Sequence, residues 1–170
     1  MALNLYLMRH GEALSKVDAR VGTDAERPLS PAGMEMVKQV ANHFKAHEVV
    51  PTRLFTSSLF RARQTAELVA TILGCSHLIE PCQALQLDQV PSAFLTLLRH
   101  QSVKDEVVAI GHQPLLGQLA LQLACGTPGE GLALKPAEVC WLQLPDYPGS
   151  LRAVIRGLWN SETIGRLTPQ

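Results

Sequence analysis

The sequence predicts an α/β fold, a three-layer α/β/α sandwich with a mainly parallel central sheet. Short apolar runs typical of buried strands alternate with segments whose apolar residues recur at helical spacing, the order expected of a parallel α/β domain. A chain of 170 residues, 46% of them hydrophobic, is long enough for one sizeable core and too short for two. We therefore expect a single domain over residues 1–170.

A polar loop separates the first predicted strand from the first long helix. Residues 3–8 are mostly apolar and predict a short buried strand that runs directly into Arg-His-Gly at 9–11. Residues 14–29 are polar and aperiodic, which predicts a long ordered or functional loop. Ser30 and Pro31 then predict a helix start, with serine as the N-cap and proline at the first helical position.

The middle of the chain predicts two further strands and two helices. Residues 53–56 predict a strand, after which a hydroxyl at 57–58 can cap a helix that ends at Gly74. Residues 78–79 belong to a third short strand. An irregular stretch then leads to a helix over residues 91–100.

The last third repeats the first pattern and then changes. Residues 106–110 predict a buried strand that ends at the Gly-His pair 111–112, and residues 114–125 follow with helical character. Residues 138–144 and 151–158 predict a hairpin, which adds antiparallel strands to the sheet edge. The tail that remains is short and polar, and we assign no element to it.

Charge and composition exclude several classes of partner. Basic and acidic residues number 15 each, so the formal net charge is zero and no basic field exists to hold nucleic acid or an anionic membrane. The N-terminal segment has only a short apolar run before charged residues, which fits neither a signal peptide nor a transmembrane helix. We expect a cytoplasmic monomer.

The spacing of cysteine and histidine argues against a metal centre. Cys75, Cys82, Cys125 and Cys140 contain no close pair, so neither a zinc knuckle nor a redox motif is present, and we expect all four to be reduced packing residues. The six histidines are scattered singly. We predict no metal site and no cofactor.

Three polar segments follow predicted strands. His10 follows the first strand, Ser57 begins the segment that leads to Arg61 after the second, and His112 follows the strand at 106–110. In open α/β sheets, ligands bind outside the carboxyl ends of the strands. The topology therefore predicts that these segments face one crevice.

The residue types in that crevice suit phosphoryl transfer. A neutral imidazole is nucleophilic at physiological pH, which makes His10 a candidate for a covalent phosphohistidine. Guanidinium groups at Arg9 and Arg61 can hold phosphate oxygens through paired hydrogen bonds, and a protonated His112 would add a donor. Gly11 allows the backbone to approach the phosphate and to expose an N–H. We predict a phosphatase with these four side chains as its catalytic residues.

Three sequence motifs occur in the order found in a known enzyme family. They are LMRHGEA at 7–13, SSLFRARQTA at 57–66 and IGHQP at 110–114. The first resembles the R-H-G signature of the histidine phosphatase superfamily, whose members are phosphoglycerate mutase-like, and the second resembles its S-x-x-x-R-A-x-x-T-A segment. The third resembles the segment that carries the second catalytic histidine. The resemblance implies that Arg61 binds phosphate and that His112 is this second histidine.

The short chain, the R-H-G-E-A start and the segment RPLSPAG at 27–33 are similar to the SixA-like phosphohistidine phosphatases. The similarity implies that Arg27 is a third phosphate-binding arginine, although Arg27 can instead anchor the turn that follows it. It also implies a phosphorylated protein partner that carries phosphohistidine, and a pocket in which phosphate or sulfate binds.

Other candidates and functions stay open at this point. Ser57 and Gly111 are further candidates for binding substrate, but a helix N-cap is the commoner use of such a serine. Ester substrates need an acid to protonate the departing alkoxide. The family's middle-segment glutamate has no clear match here, where Glu12, Glu80 and Asp88 are merely available. The alternatives are a small-molecule phosphomonoesterase and a non-catalytic phosphate-binding module.

Overall fold

The strands form one six-stranded sheet. The computed structural model describes residues 2–127 and 129–167, with the backbone alone at 165–167. The strands are β1 (Leu3–Arg9), β2 (Arg53–Thr56), β3 (Ile79–Pro81), β4 (Glu106–Gly111), β5 (Val139–Leu144) and β6 (Val154–Trp159). Their order across the sheet is β3-β2-β4-β1-β5-β6, in which the first four are parallel, β5 is antiparallel to β1, and β6 is antiparallel to β5. The predicted mainly parallel sheet is confirmed.

Helices cover both faces of the sheet. They are α1 (Lys16–Ala19), α2 (Pro31–Ala46), α3 (Phe60–Leu73), α4 (Pro91–Leu98), α5 (Leu115–Cys125) and α6 (Ser161–Leu167). Apolar residues of α2 and α3 pack on one face, and those of α4 and α5 pack on the other. This arrangement is the three-layer sandwich that the alternating pattern predicts.

The alternation of side chains along β1 divides the core in two. Leu3, Leu5 and Leu7 point toward α4 and α5, whereas Tyr6 and Met8 point toward α2 and α3. A strand turns successive side chains to opposite faces, so a mostly apolar run is what a strand covered on both sides requires. These five side chains are at most 2% exposed.

The strand register brings the polar segments to one edge of the sheet. Arg9 at the end of β1 is the register partner of Gly111 at the end of β4. The backbone N–H of His10 donates to the carbonyl of Gly111 at 3.1 Å, and that of Ser57 donates to the carbonyl of Ile110 at 3.0 Å. The residues that follow β1, β2 and β4 are therefore held side by side by backbone hydrogen bonds.

The end of the chain differs from the sequence prediction. The hairpin of β5 and β6 is confirmed, but the tail contains helix α6, to which we assigned no element. Asn160 caps this helix, since its Oδ1 accepts from the backbone N–H of Thr163 at 2.9 Å. The Asn160 side chain is in turn held by Glu138 Oε1 at 2.8 Å. The N-cap itself is a local signal, and Glu138 adds a distant contact that holds the capping side chain. Residues 168–170 lie outside the described part of the chain.

Three local predictions also need correction. Helix α3 begins at Phe60 with Leu59 as its N-cap and no side-chain cap, so the predicted hydroxyl cap at 57–58 is wrong. The Ser57 hydroxyl faces His112 instead, at 2.8 Å. The loop 14–29 contains the short helix α1 and a single 3-10 turn at Asp24–Glu26. The periodicity predicts that helix α4 extends to His100, but the helix ends at Leu98.

The cysteines are all free thiols, and three of them are buried. Cys125 is exposed near the end of α5, so the expectation that all four pack in the core is wrong for that residue. Within the residues that the structure describes, none of the helices has the length and apolar character needed to cross a lipid bilayer.

Candidate active site

A cavity of about 330 Å³ opens where β1, β2 and β4 end. Its lining combines three arginines, two histidines and one glutamate with apolar and amide residues: Arg9, His10, Glu12, Ala13, Arg27, Arg61, Leu87, His112, Gln113 and Pro136. A larger groove of about 520 Å³ lies beside α4 and α5, and Glu130 is the one ionisable residue among those described on its wall. An anionic substrate is therefore matched by the smaller cavity and not by the larger groove.

Backbone contacts set the tautomer of His10. Its Nδ1 lies 2.7 Å from the carbonyl oxygen of Gly11, and because a carbonyl only accepts, Nδ1 carries the proton. The other ring nitrogen, Nε2, then has a free electron pair and accepts a hydrogen bond from Arg61 Nε at 3.3 Å. Nε2 is the nitrogen available for attack on phosphorus.

Burial keeps His10 neutral. Loss of hydration lowers its pKa from 6.5 to about 4, and the positive charges of Arg61, Arg9 and Arg27 act in the same direction. The hydrogen bond to the Gly11 carbonyl opposes these effects without cancelling them. At neutral pH the imidazole is therefore unprotonated at Nε2.

Arg61 is the most enclosed cation of the pocket. It lies in the first turn of α3 and is 4% exposed. Besides its contact with His10, Nη1 donates to the backbone oxygen of Asp24 at 2.9 Å and Nη2 donates to Asp24 Oδ2 at 3.0 Å. All three guanidinium nitrogens thus have defined partners.

Arg9 reaches the pocket from the last position of β1. Its Nη1 donates to the carbonyl of Leu134 at 2.8 Å. Its Nε is buried and has no hydrogen-bond partner among the described residues. A buried donor left in this state costs free energy. Arg9 is also one of the residues that line the cavity.

His112 is held by a hydroxyl and an amide behind it. Ser57 Oγ donates to Gln86 Oε1 at 3.1 Å, so its oxygen accepts from His112 Nε2 at 2.8 Å. The ring centroid lies 5.0 Å from that of His10, and Nδ1 is buried without a partner within the described residues. Burial first, and then His10 and Arg61, lower the pKa of His112 to about 3. Ser57 is fully buried and supports His112 from behind.

Arg27 both lines the cavity and anchors its loop, so the two roles considered for it are compatible. Its Nε donates to the carbonyl of Leu14 at 2.6 Å, and its Nη1 donates to Asp24 Oδ1 at 2.9 Å. Glu12, also on the wall, accepts from the hydroxyl of Ser30 at 2.8 Å.

The two candidate glycines use their backbone groups in hydrogen bonds within the protein. The N–H of Gly11 donates to Thr65 Oγ1 at 3.1 Å in a buried position, so the expectation that it is exposed toward phosphate is wrong. A Cβ at Gly11 would lie 2.7 Å from Val37 Cγ2, so its need for glycine comes from packing against α2. Gly111 uses its carbonyl to fix His10, as described above, and is absent from the cavity wall among the described residues.

The remaining candidate acids lie elsewhere. Glu80 pairs with Arg53 at 2.9 Å, and the described lining of the cavity includes neither Glu80 nor Asp88.

Asp24 and Gln86 contact the site residues directly, but the sequence prediction does not include them. Asp24 had one usable signal, its position three residues before Arg27 in a polar loop. In the described residues, no group of three or more histidine, cysteine or acidic side chains is placed to hold a metal ion.

Comparison with known proteins shows which family this chain belongs to. Residues 5–86 match the family model of the histidine phosphatase superfamily (branch 1), and this segment includes His10 and Arg61. The phosphohistidine phosphatase SixA of Escherichia coli (strain K12) is 34% identical over 134 residues, which cover 75% of this chain and 76% of that protein. The chain belongs to the histidine phosphatase superfamily.

Two further relatives of this histidine phosphatase cover still more of it. An uncharacterized protein of Picosynechococcus sp. (strain ATCC 27264 / PCC 7002 / PR-6) is 36% identical over 143 residues, or 83% of this chain and 85% of that one. A solved structure of the protein histidine phosphatase SixA complexed with tungstate is 25% identical, covers 97% of this chain and 99% of its own, and has a TM-score of 0.79. The predicted family and its SixA-like character are confirmed.

Proposed function

We propose that this phosphatase hydrolyses phosphohistidine on a signalling or phosphotransfer protein, through a covalent phosphohistidine on His10. The observation that carries the proposal is the state of the His10 ring. Its proton is held on Nδ1 by the Gly11 carbonyl, and Nε2 faces the cavity's arginines with a free electron pair.

The proposed reaction has two displacements at phosphorus. In the first, His10 Nε2 forms a bond to phosphorus as the bond from phosphorus to the substrate imidazole breaks, and the departing nitrogen takes up a proton from solvent. In the second, water attacks the phosphorylated His10, its proton leaves to solvent, and inorganic phosphate is released as His10 Nε2 regains its electron pair. No redox partner or metal takes part in either step.

Positive charge around His10 would stabilise both transition states. Guanidinium groups of Arg9, Arg27 and Arg61 line the same cavity. His112 is neutral in their presence, but a phosphate dianion would favour its protonated form and turn the buried Nδ1 into a donor. Arg9 Nε and His112 Nδ1 are thus two unpaired groups that the transferred phosphoryl group would satisfy.

The acid content of the cavity favours a nitrogen leaving group. Imidazole departs with less help from an acid than an alkoxide does. Glu12 is the one carboxylate on the described wall, and it is engaged by the Ser30 hydroxyl. The similarity to SixA of E. coli, a phosphohistidine phosphatase by name, supports the same choice.

Hydrolysis of a small phosphomonoester is the second candidate, favoured by the position of Glu12. A cytosolic location and a monomeric state complete the proposal.

The test is turnover of a phosphohistidine-bearing protein beside a panel of phosphomonoesters. His10→Ala should lower turnover by at least about a thousandfold, as expected when a nucleophile is removed. His100→Ala, at an exposed position after α4, is the matched control and should retain wild-type activity.

Two results would contradict different parts of the proposal. Turnover that survives in His10→Ala would exclude the covalent mechanism. A wild-type preference for esters would keep that mechanism but replace the substrate, and Glu12 would become the acid to test.

A further inference from the structure

Asp24 contacts both cavity arginines that are not part of the R-H-G motif. It lies in the 3-10 turn Asp24–Glu26 within the loop between β1 and α2, and its side chain is 50% exposed. Oδ2 accepts from Arg61 and Oδ1 accepts from Arg27, so both carboxylate oxygens are occupied. We propose that Asp24 is a positioning residue, which holds the Arg61 guanidinium so that its Nε–H edge faces His10 Nε2.

The geometry of the guanidinium supports this role. Asp24 binds the end of the planar fork, with Nη1 on its backbone oxygen at 2.9 Å and Nη2 on Oδ2 at 3.0 Å. Two parallel bonds to one residue fix the rotation of the plane as well as its position. The Nε–H on the remaining edge donates to His10 Nε2 at 3.3 Å. That edge would donate hydrogen bonds to the oxygens of a phosphoryl group during its transfer to His10 Nε2.

The turn that carries Asp24 is itself anchored. The backbone N–H and hydroxyl of Thr23 donate to Glu26 Oε2 at 3.1 and 2.8 Å. Arg27 closes the other side of the turn through its bonds to Asp24 and Leu14. Asp24 is therefore a fixed acceptor for a side chain that comes from α3.

Asp24 is not suited to act as the proton donor for the leaving group. The hydrogen bond and charge of Arg27, together with those of Arg61, hold the pKa of Asp24 below its ordinary value. It is ionised at neutral pH and adds a negative charge beside the proposed phosphate site. Loss of this carboxylate should thus slow the transfer step without weakening substrate binding.

This inference rests on the proposed function for its kinetic test. Asp24→Ala should lower kcat about 10- to 100-fold, the effect of losing a charge-assisted bond that acts in the transition state, while KM stays equal or falls. Asp24→Asn keeps an acceptor oxygen and should recover part of kcat. Asp18→Ala, in the same loop and bonded only to Ser15 among the described side chains, should match wild type.

A double-mutant cycle separates positioning from general damage. If Asp24 acts through Arg61, Asp24→Ala should have little further effect in an Arg61→Ala background. An equal loss of kcat in both backgrounds, or an unchanged kcat in Asp24→Ala alone, would overturn the inference.

A spectroscopic readout is independent of the substrate. In ¹⁵N-labelled protein the Arg61 Nε–H, assigned by its loss in Arg61→Lys, should give a distinct, slowly exchanging signal that collapses toward the bulk arginine position in Asp24→Ala. If the wild type turned over no substrate, the proposed function would fail while this signal still reported on Asp24. A signal unchanged in Asp24→Ala would contradict the positioning role even in an active enzyme.

Discussion

The protonation state of His10 gives a quantitative test of the site. Burial and the neighbouring arginines lower its pKa from 6.5 to about 4. At pH 5.5 a histidine with the ordinary pKa would be about 9% neutral, whereas one with a pKa of about 4 would be about 97% neutral. The nucleophile should thus stay available more than a pH unit below the range in which ordinary histidines become charged. The neutral His10 ring should be the Nδ1–H tautomer over the whole pH range.

Imidazole ¹⁵N NMR over pH 4–8 measures both properties, with His10→Ala providing the assignment. Addition of inorganic phosphate should raise the midpoint, because the anion stabilises the imidazolium. A phosphate-free midpoint at or above 6.5, or a neutral ring that carries its proton on Nε2, would refute the reasoning.

The same shift predicts how folding stability depends on pH. The folded protein takes up the His10 proton less readily than the unfolded chain, so the free energy of unfolding should fall as pH drops from 6.5 toward 4. The limiting slope is about 1.4 kcal/mol per pH unit for each such group, and the lowered pKa of His112 adds a contribution of the same sign. Urea titrations with and without phosphate would measure it, and a stability independent of pH over this window would contradict the shift.

Two further predictions concern the scaffold around the site. Gly33→Ala in α2 would place a Cβ 2.1 Å from the backbone oxygen of Glu12, so it should destabilise the fold by about 1–3 kcal/mol despite the better helix propensity of alanine, and should lower kcat by shifting the R-H-G segment. Gly22→Ala, whose Cβ would meet only Glu26 Oε2 at 3.9 Å, is the control, and urea denaturation that finds both variants equal would count against the close packing. A thiol reagent should label Cys125 first in the native protein without loss of activity, since it is exposed whereas the other cysteines are buried. Rapid labelling of more than one thiol in mass spectra would contradict this.

The parts of the fold that follow from local pattern could be predicted. The strand before Arg9, the Ser30 cap and the Gly74 stop each depend on a few neighbouring residues, and all three are present in the structure. The meeting of His10 with His112 follows from the rule that parallel strands end at one edge of a sheet. Their ring centroids are indeed only 5.0 Å apart.

Features that depend on distant contacts could not be predicted. Asp24 and Gln86 join the site through side chains that approach across loops, and no periodicity encodes such contacts. Gly11 is predicted to contact phosphate because glycine lets the backbone approach closely, whereas its N–H donates to Thr65 of α3. Helix α6 has a local N-cap signal at Asn160, whose Oδ1 accepts from the backbone N–H of Thr163, and the sequence prediction does not use that signal.

Arg9 and Gly111 are register partners at the ends of β1 and β4. Because of this pairing, a change in the strand register and a change in the loops affect the site differently. A slip of one residue between β1 and β4 would turn every side chain of the slipped strand to the opposite face, so the spacing of the two histidines is protected by the whole apolar core. The loops at 14–29 and 129–137 are not part of that register, but they supply Asp24 and the Leu134 carbonyl as hydrogen-bond partners of Arg61 and Arg9. A change in these loops can therefore alter the contacts of the two arginines, while the separation of the two histidines stays fixed by the strand register.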